Sequence, residues 1–375
     1  MKPRDKFILE KLDQIKKANL YRTLVYNKIS GPYITINGKK LFNLSSNDYL
    51  GISSTYKVSQ IQSSSRLIAG NDFSFKELEN NLARHKSKNA ALVFPTGYMA
   101  NLGAISILTQ KNDLILSDEL NHASIIDACR LSYAKKLVYK HNDISDLEKK
   151  IRQKAHRKFV ITEGIFSMNG DFARLKEISK VCQENNAFLI LDDAHGDFVA
   201  GRDGKGSADH FRVEKNIDIY ISSLSKALGA FGGYMTASKE IIELAVNTSR
   251  PFIYTSALPG FLADFALKRF LTNREKKRLS LWKKIEQFSK GLKSIGYTIE
   301  SQSQIMPIMI GDEKKTLEFA KYLKSNKIFA QPIRYPTVNL GSARIRISVT
   351  DWLSEKIILE SLNVFEKAGK KFGIT

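Results

Sequence analysis

The chain has 375 residues, 43% hydrophobic and 26% charged, a balance that excludes a disordered or fibrous chain and leaves room for one large and one small domain. Its 59 basic against 38 acidic residues give a net charge of +21, yet the basic residues are spread along segments such as EKKIRQKAHRK and NREKKRLSLWKK, with no nucleic-acid-binding signature. Nucleic acid is therefore disfavoured as a partner, and a phosphate-bearing or acidic-protein-bound substrate is the better use of that charge.

Cys129 and Cys182 sit in apolar, helix-like surroundings, which argues against a disulfide framework and for a reducing, cytoplasmic setting. No apolar run approaches the ~20 residues that a bilayer span needs, so no membrane is expected. At the start, Ile8, Leu12 and Ile15 fall on one face of an amphipathic helix. GPYITINGKKLFNLSSNDYLG then reads as a hairpin, with Ile34 and Ile36 alternating before an Asn37-Gly38 turn. Asn47 and Asp48 follow it and read, on their own, as turn chemistry.

From there a rhythm sets in: a short apolar run, a polar cluster at its exit, then an amphipathic helix. ALVFPTGYMAN predicts a strand over 91–94, with Thr96-Gly97-Tyr98 opening a helix whose first N–H groups favour an anion. DLILSDELNHAS predicts a strand over 114–116 and then Asp118, Asn121 and His122, a histidine that alone reads as a structural hydrogen-bonder. KFVITEGIFSMNGD exits through Glu163, Ser167 and Asn169, and AFLILDDAHGD through Asp192, Asp193, His195 and Asp197. The fifth unit, IDIYISSLSKALGAFGGYM, presents Lys226 among Ser222, Ser223, Ser225 and glycines. A lysine in so apolar a setting loses its proton readily, as a Schiff-base lysine must; a lysine snorkelling from a strand end fits this stretch as well.

Strands alternating with helices imply an α/β fold with a largely parallel sheet, whose strand exits converge at the carboxyl edge. No G-x-G-x-x-G or G-x-x-x-x-G-K-[ST] is present, which disfavours a dinucleotide or P-loop site. After Pro259 the texture changes to one or two long basic helices over 262–294. Strands are then expected in GYTIE, IMPIMIGD, IFAQPIRYPTV and ARIRISV, with helices over 314–325 and 353–369. The expected organisation is an N-terminal helix and hairpin (1–45), a large domain (46–270) and a small C-terminal α+β domain (271–375). Arg344 and Arg346 point to one face of a strand, which makes at least one a candidate carboxylate binder unless that face is exposed.

Asp192-x-x-His195 admits a metal site, but no second histidine cluster or cysteine pair completes it, and it would leave Lys226 idle. Pyridoxal phosphate needs a lysine, a carboxylate for the pyridinium nitrogen, a phosphate cradle and a group over the ring, and the five exits supply all four.

TEGIFSMNGD, LDDAHGDFVAGRDGKGS, SLSKALGAFGG and RYPTVNLGSARIRIS also resemble the α-oxoamine synthases of PLP-dependent fold type I, from about Leu20 to the C-terminal helix. That resemblance implies a shared-site homodimer. In it Lys226 is the Schiff-base and proton-shuttling lysine, Asp192 meets the ring nitrogen, His195 the 3′-oxygen, and His122 stacks on the ring. Gly97, Tyr98, Ser167 and Ser223 would contact the cofactor, and the partner subunit would add Thr255 or Ser256. Asn47 and Arg346 would hold the amino-acid carboxylate, with Arg22, Arg334 and Thr337 along the acyl path. RYPTV points to the branch serving biotin synthesis, which condenses L-alanine with pimeloyl-CoA or a pimeloyl-acyl carrier protein. Phe75, Gln62 to Ser65 and Asn339 depart from the family pattern.

Overall fold

The computed structural model of the chain describes residues 13–21, 27–46, 48–51 and 64–375. Ile8, Leu12, Arg22, Asn47, Gln62 and Ser63 lie outside the described residues, and Ile15 sits in a helix at 13–17. The chain forms two compact units. One draws on Met1–Tyr49, Met168–Gly170 and Ser280–Thr375, the other on Leu50–Ser167 and Asp171–Leu279.

In the first unit, β1 (Asn27–Ser30), β2 (Tyr33–Ile36) and β3 (Lys39–Asn43) pair antiparallel. Asn37 and Gly38 both take positive φ, 49° and 74°, as a two-residue hairpin turn requires.

The second unit holds a seven-stranded sheet made of β4 (Ala90–Phe94), β5 (Leu114–Asp118), β6 (Lys135–Tyr139), β7 (Lys158–Glu163), β8 (Phe188–Asp192), β9 (Ile219–Ser223) and β10 (Gly233–Ala237). The strand order is β4-β10-β9-β8-β7-β5-β6, and β10 alone runs against the rest. Successive residues pack on opposite faces. Ile115, Ile161 and Ile190 join one apolar cluster with helices α1 (Gly97–Leu108) and α2 (Ala123–Leu131), whereas Leu116, Val160 and Leu191 join another on the far face. Each such side chain contributes about 2 kcal/mol through burial. Covering both faces is what lets these strands be continuously apolar.

Five of the seven strands match those expected from the sequence. β6, KKLVY, is an edge strand whose exposed lysines hide its pattern. β10 begins in the glycines after Lys226, where the sequence pattern suggests only close backbone approach.

Back in the first unit, β11 (Ile305–Gly311), β14 (Ala343–Ser348) and β13 (Gln331–Ile333) form an antiparallel sheet, while β12 (Ile328–Phe329) pairs in parallel with β3. The N-terminal hairpin therefore shares a sheet with the C-terminal part of the chain. GYTIE is not a strand: residues 297–300 follow the helix Glu275–Ser294 without ladder pairing, and Tyr297 is instead held by its hydroxyl donating to Phe365 O at 2.6 Å.

Candidate active site

A cavity of about 230 Å³ opens at the carboxyl ends of β4, β5, β7, β8 and β9. Lys226 reaches it from the loop after β9. That loop closes on itself, with Leu224 N donating to Gly232 O and Ala230 N to Leu224 O. Gly229 and Gly232, at φ +63° and +112°, permit the reversal. Lys226 Nζ lies 2.9 Å from His195 Nε2.

Asp192 ends β8 and is fixed on both oxygens: Asn101 Nδ2 donates at 2.6 Å and Ala194 N at 3.0 Å. Asn101 also donates to Ser124 Oγ at 3.0 Å. His122 caps α2, its Nδ1 accepting from Ser124 N at 3.2 Å, so this nitrogen carries no proton. Burial lowers the His122 pKa, Asp192 opposes that and Lys226 adds to it.

Thr96 caps α1 by accepting from Met99 N at 3.1 Å, which leaves the N–H groups of Gly97 and Tyr98 outside the helix ladder at the cavity. A side chain at Gly97 would press on Ser223 Cβ at 3.3 Å, and one at Gly233 would meet Gly97 Cα at 2.4 Å. Only glycine lets the helix start sit this close to β9 and β10. Tyr98 OH donates to Asp127, and the Tyr98 ring stands edge-on to His122.

Of the acidic residues in DDAHGD, only Asp192 lines the cavity. Asp193 accepts from Ser207 Oγ at 2.6 Å and is pushed up to about 6 by burial, against the pull of Lys86. Burial also disfavours the Asp197 anion, but Lys86 at 2.6 Å and His85 outweigh it and hold that carboxyl well below the usual range. Asp197 in turn accepts from Ser222 Oγ at 2.8 Å and from Tyr234 OH, pinning the ends of β9 and β10.

Gly97, Tyr98, His122, Asp192, Ser223 and Lys226 thus come together, with His195 in contact through Lys226. Among the described residues, Ser167, Thr255 and Ser256 do not line the cavity. Ser167 is buried and donates its N–H to Glu163 Oε2 at 3.3 Å; Thr255 and Ser256 follow the helix Arg250–Ile253. In the other unit, Arg346 is buried on β14, donates to Ser348 Oγ at 2.9 Å and lies beside Tyr49. Its neighbour Arg344 is buried too and donates to Asn169 Oδ1 at 2.6 Å. Arg334 is buried and donates to Asn19 O, and Thr337 is exposed, its N–H donating to Arg334 O at 3.0 Å.

Asn101, Ser124 and Glu163 are among the cavity residues to which the sequence assigns no role. Asn101 stands four residues after Gly97, one helical turn on, and so shares its face; that spacing is the available signal.

These groups fit pyridoxal phosphate. The cavity offers an amine, a well-held carboxylate, and a glycine helix start suited to an anion. Glu163 Oε1 and Asn101 Oδ1 are, in addition, buried at the cavity without a hydrogen-bond partner among the described residues. The chain matches the family model "Aminotransferase class I and II" over residues 39–358. It is 42% identical to the 8-amino-7-oxononanoate synthase of Thermoanaerobacter pseudethanolicus, covering 98% of each chain. A serine palmitoyltransferase of Sphingomonas wittichii superposes with a TM-score of 0.91 at 29% identity, over 99% of this chain and 98% of that one. An SPT structure solved with PLP does so with a TM-score of 0.92 at 27% identity, over 99% of both chains. The cofactor is pyridoxal phosphate, and the chain belongs to the class I and II aminotransferase family and, within it, to the 8-amino-7-oxononanoate synthases.

Proposed function

We propose that this chain condenses L-alanine with a pimeloyl thioester, with loss of CO2, to give 8-amino-7-oxononanoate and the free thiol. The observation that carries this is Lys226 Nζ set 2.9 Å from His195, beside a fixed Asp192, in a chain 42% identical over its length to a named synthase.

Bound pyridoxal phosphate supplies an electron-withdrawing ring that takes up the electron pair left when the Cα–H bond breaks. Lys226 holds the cofactor and moves the Cα proton, and His195 orients its amine. Asp192, fixed by Asn101 and Ala194, keeps the ring nitrogen protonated. His122 would cover the ring, and burial together with Lys226 disfavours its cation. The N–H groups of Gly97 and Tyr98, with Ser223, hold the phosphate, Ser167 acts through Glu163, which accepts its N–H, and Thr255 or Ser256 of a second copy completes that cradle in a homodimer. Arg346 and Asn47 anchor the alanine carboxylate, and Arg22, Arg334 and Thr337 guide the acyl chain. Burial of Arg346 supports its part, because a desolvated guanidinium binds a carboxylate more strongly than an exposed one. Both cysteines are buried and free, which supports the expected cytoplasmic location.

A sister reaction, such as serine with palmitoyl-CoA, draws less support, since the serine palmitoyltransferase likeness is 29% identical against 42% for the oxononanoate synthase. The test is product formation by the purified protein with pyridoxal phosphate, offering L-alanine, glycine or L-serine against pimeloyl-CoA, pimeloyl-acyl carrier protein, acetyl-CoA and palmitoyl-CoA. 8-Amino-7-oxononanoate from alanine and a pimeloyl thioester is the expected product. Faster turnover of serine with palmitoyl-CoA overturns the reading.

A further inference from the structure

Glu163 is a cavity residue that no step above uses. It ends β7 in register with Asp192, the end of β8, so two carboxyl groups stand on adjacent strands about 4.8 Å apart at the backbone. Both are buried, at 3% and 7% exposure. Their surroundings differ. Asp192 receives one hydrogen bond on each oxygen, at 2.6 and 3.0 Å. Glu163 receives the Ser167 N–H on Oε2 at 3.3 Å and feels the backbone N–H of His122, while Oε1 is buried without a partner among the described residues.

The charged and titratable groups facing Glu163 are Asp192 from β8, Lys226 from the loop after β9 and His122 at the start of α2, with His195 joined through Lys226. Burial lowers the His122 pKa, and Lys226 is the amine set against two buried carboxyls. Two such groups do not both ionise, and the proton goes to the one with the poorer set of donors. That one is Glu163. Burial, then repulsion from Asp192, push its carboxyl up to about 8.

We infer that Glu163 is held as a neutral acid and donates its O–H from Oε1 to an acceptor oxygen of bound pyridoxal phosphate. The inference rests on the cofactor occupying this cavity. It assigns the unpartnered oxygen a ligand, and it makes cofactor binding sensitive to alkaline pH, because an ionised Glu163 would both lose its donor and place a negative charge next to the Asp192 carboxyl.

The test compares wild-type holoenzyme with Glu163→Gln, whose amide donates a hydrogen bond at every pH. Infrared difference spectra at about pH 6.5 should show a protonated-carboxyl C=O stretch in wild type that E163Q lacks, and the band should fade by about pH 9.5. Equilibrium dialysis with pyridoxal phosphate itself should show wild-type affinity falling about tenfold relative to E163Q between about pH 7 and pH 9.5. Identical infrared spectra for the two proteins, or parallel affinity curves, overturn the inference. The fading of the infrared band with pH is read on wild type alone, so a poorly folded variant does not shield the idea. A protein whose visible spectrum shows no bound cofactor at any pH overturns the cofactor reading instead, and the two failures are thereby told apart.

Discussion

Replacing His141 by alanine is expected to destabilise the larger unit by about 3 kcal/mol near neutral pH and by almost nothing above about pH 11. The imidazole bridges two carboxylates, with Nδ1 2.9 Å from Asp118 Oδ1 and Nε2 2.8 Å from Asp171 Oδ2, and its ring stands edge-on to Phe166. It thereby joins the exits of β5 and β7, which carry His122 and Glu163. Burial disfavours the His141 cation, but Asp118 and Asp171 outweigh that and raise its pKa to about 10. A rise from 6.5 to about 10 is worth at most about 5 kcal/mol at 1.36 kcal/mol per pH unit, and water reaching the 18%-exposed ring reduces this to about 3 kcal/mol. Asp118 is not left bare in the variant, since Leu120 N and Asn142 N still donate to it at 2.9 and 3.1 Å. Because the folded pKa lies above the unfolded one, the stabilisation is complete below about pH 6.5 and is lost as pH rises through about 10. Thermal melts followed by circular dichroism should show the variant about 6–12 °C below wild type at about pH 6, with the gap closing at high pH. A gap that stays constant with pH would refute the charge argument and reduce His141 to a packing residue.

Three other outcomes follow from the same geometry. Lys226→Ala should abolish the chromophore that borohydride fixes in wild type and lower turnover at least about a hundredfold. Asn101→Leu removes the 2.6 Å donor to Asp192; equilibrium dialysis should show pyridoxal phosphate binding weakened about tenfold, with the melting temperature shifted by only a few degrees. Lys86→Met strips the buried pair Asp193 and Asp197 of the amine 3.7 and 2.6 Å away, and should cost about 3–5 kcal/mol in denaturant unfolding, partly restored by adding Asp197→Asn.

Much of the site was legible because strand exits announce themselves locally. An apolar run followed by Asp, His or Ser needs only its own neighbours to be read, and the alternation of Ile and Leu across β5, β7 and β8 follows from the two-residue period of a strand. The Asp193 and Asp197 carboxyls were harder. They sit within the same few residues as Asp192 and His195, and what turns them away is Lys86 and Ser207, distant in sequence and close in space.

By itself, then, the sequence determined the alternating α/β order, the Asn37-Gly38 turn and the glycine-lined start of α1, since each depends on local period, turn chemistry or composition. The tertiary structure decided the rest: the reversed β10 inside the sheet, the union of the N-terminal hairpin with β12, the hydrogen bond between Asn101 and Asp192 across 91 residues of chain, and the side-by-side carboxyls of Glu163 and Asp192. These depend on which strands become neighbours, and register between strands is set by packing of the whole core and not by any one segment.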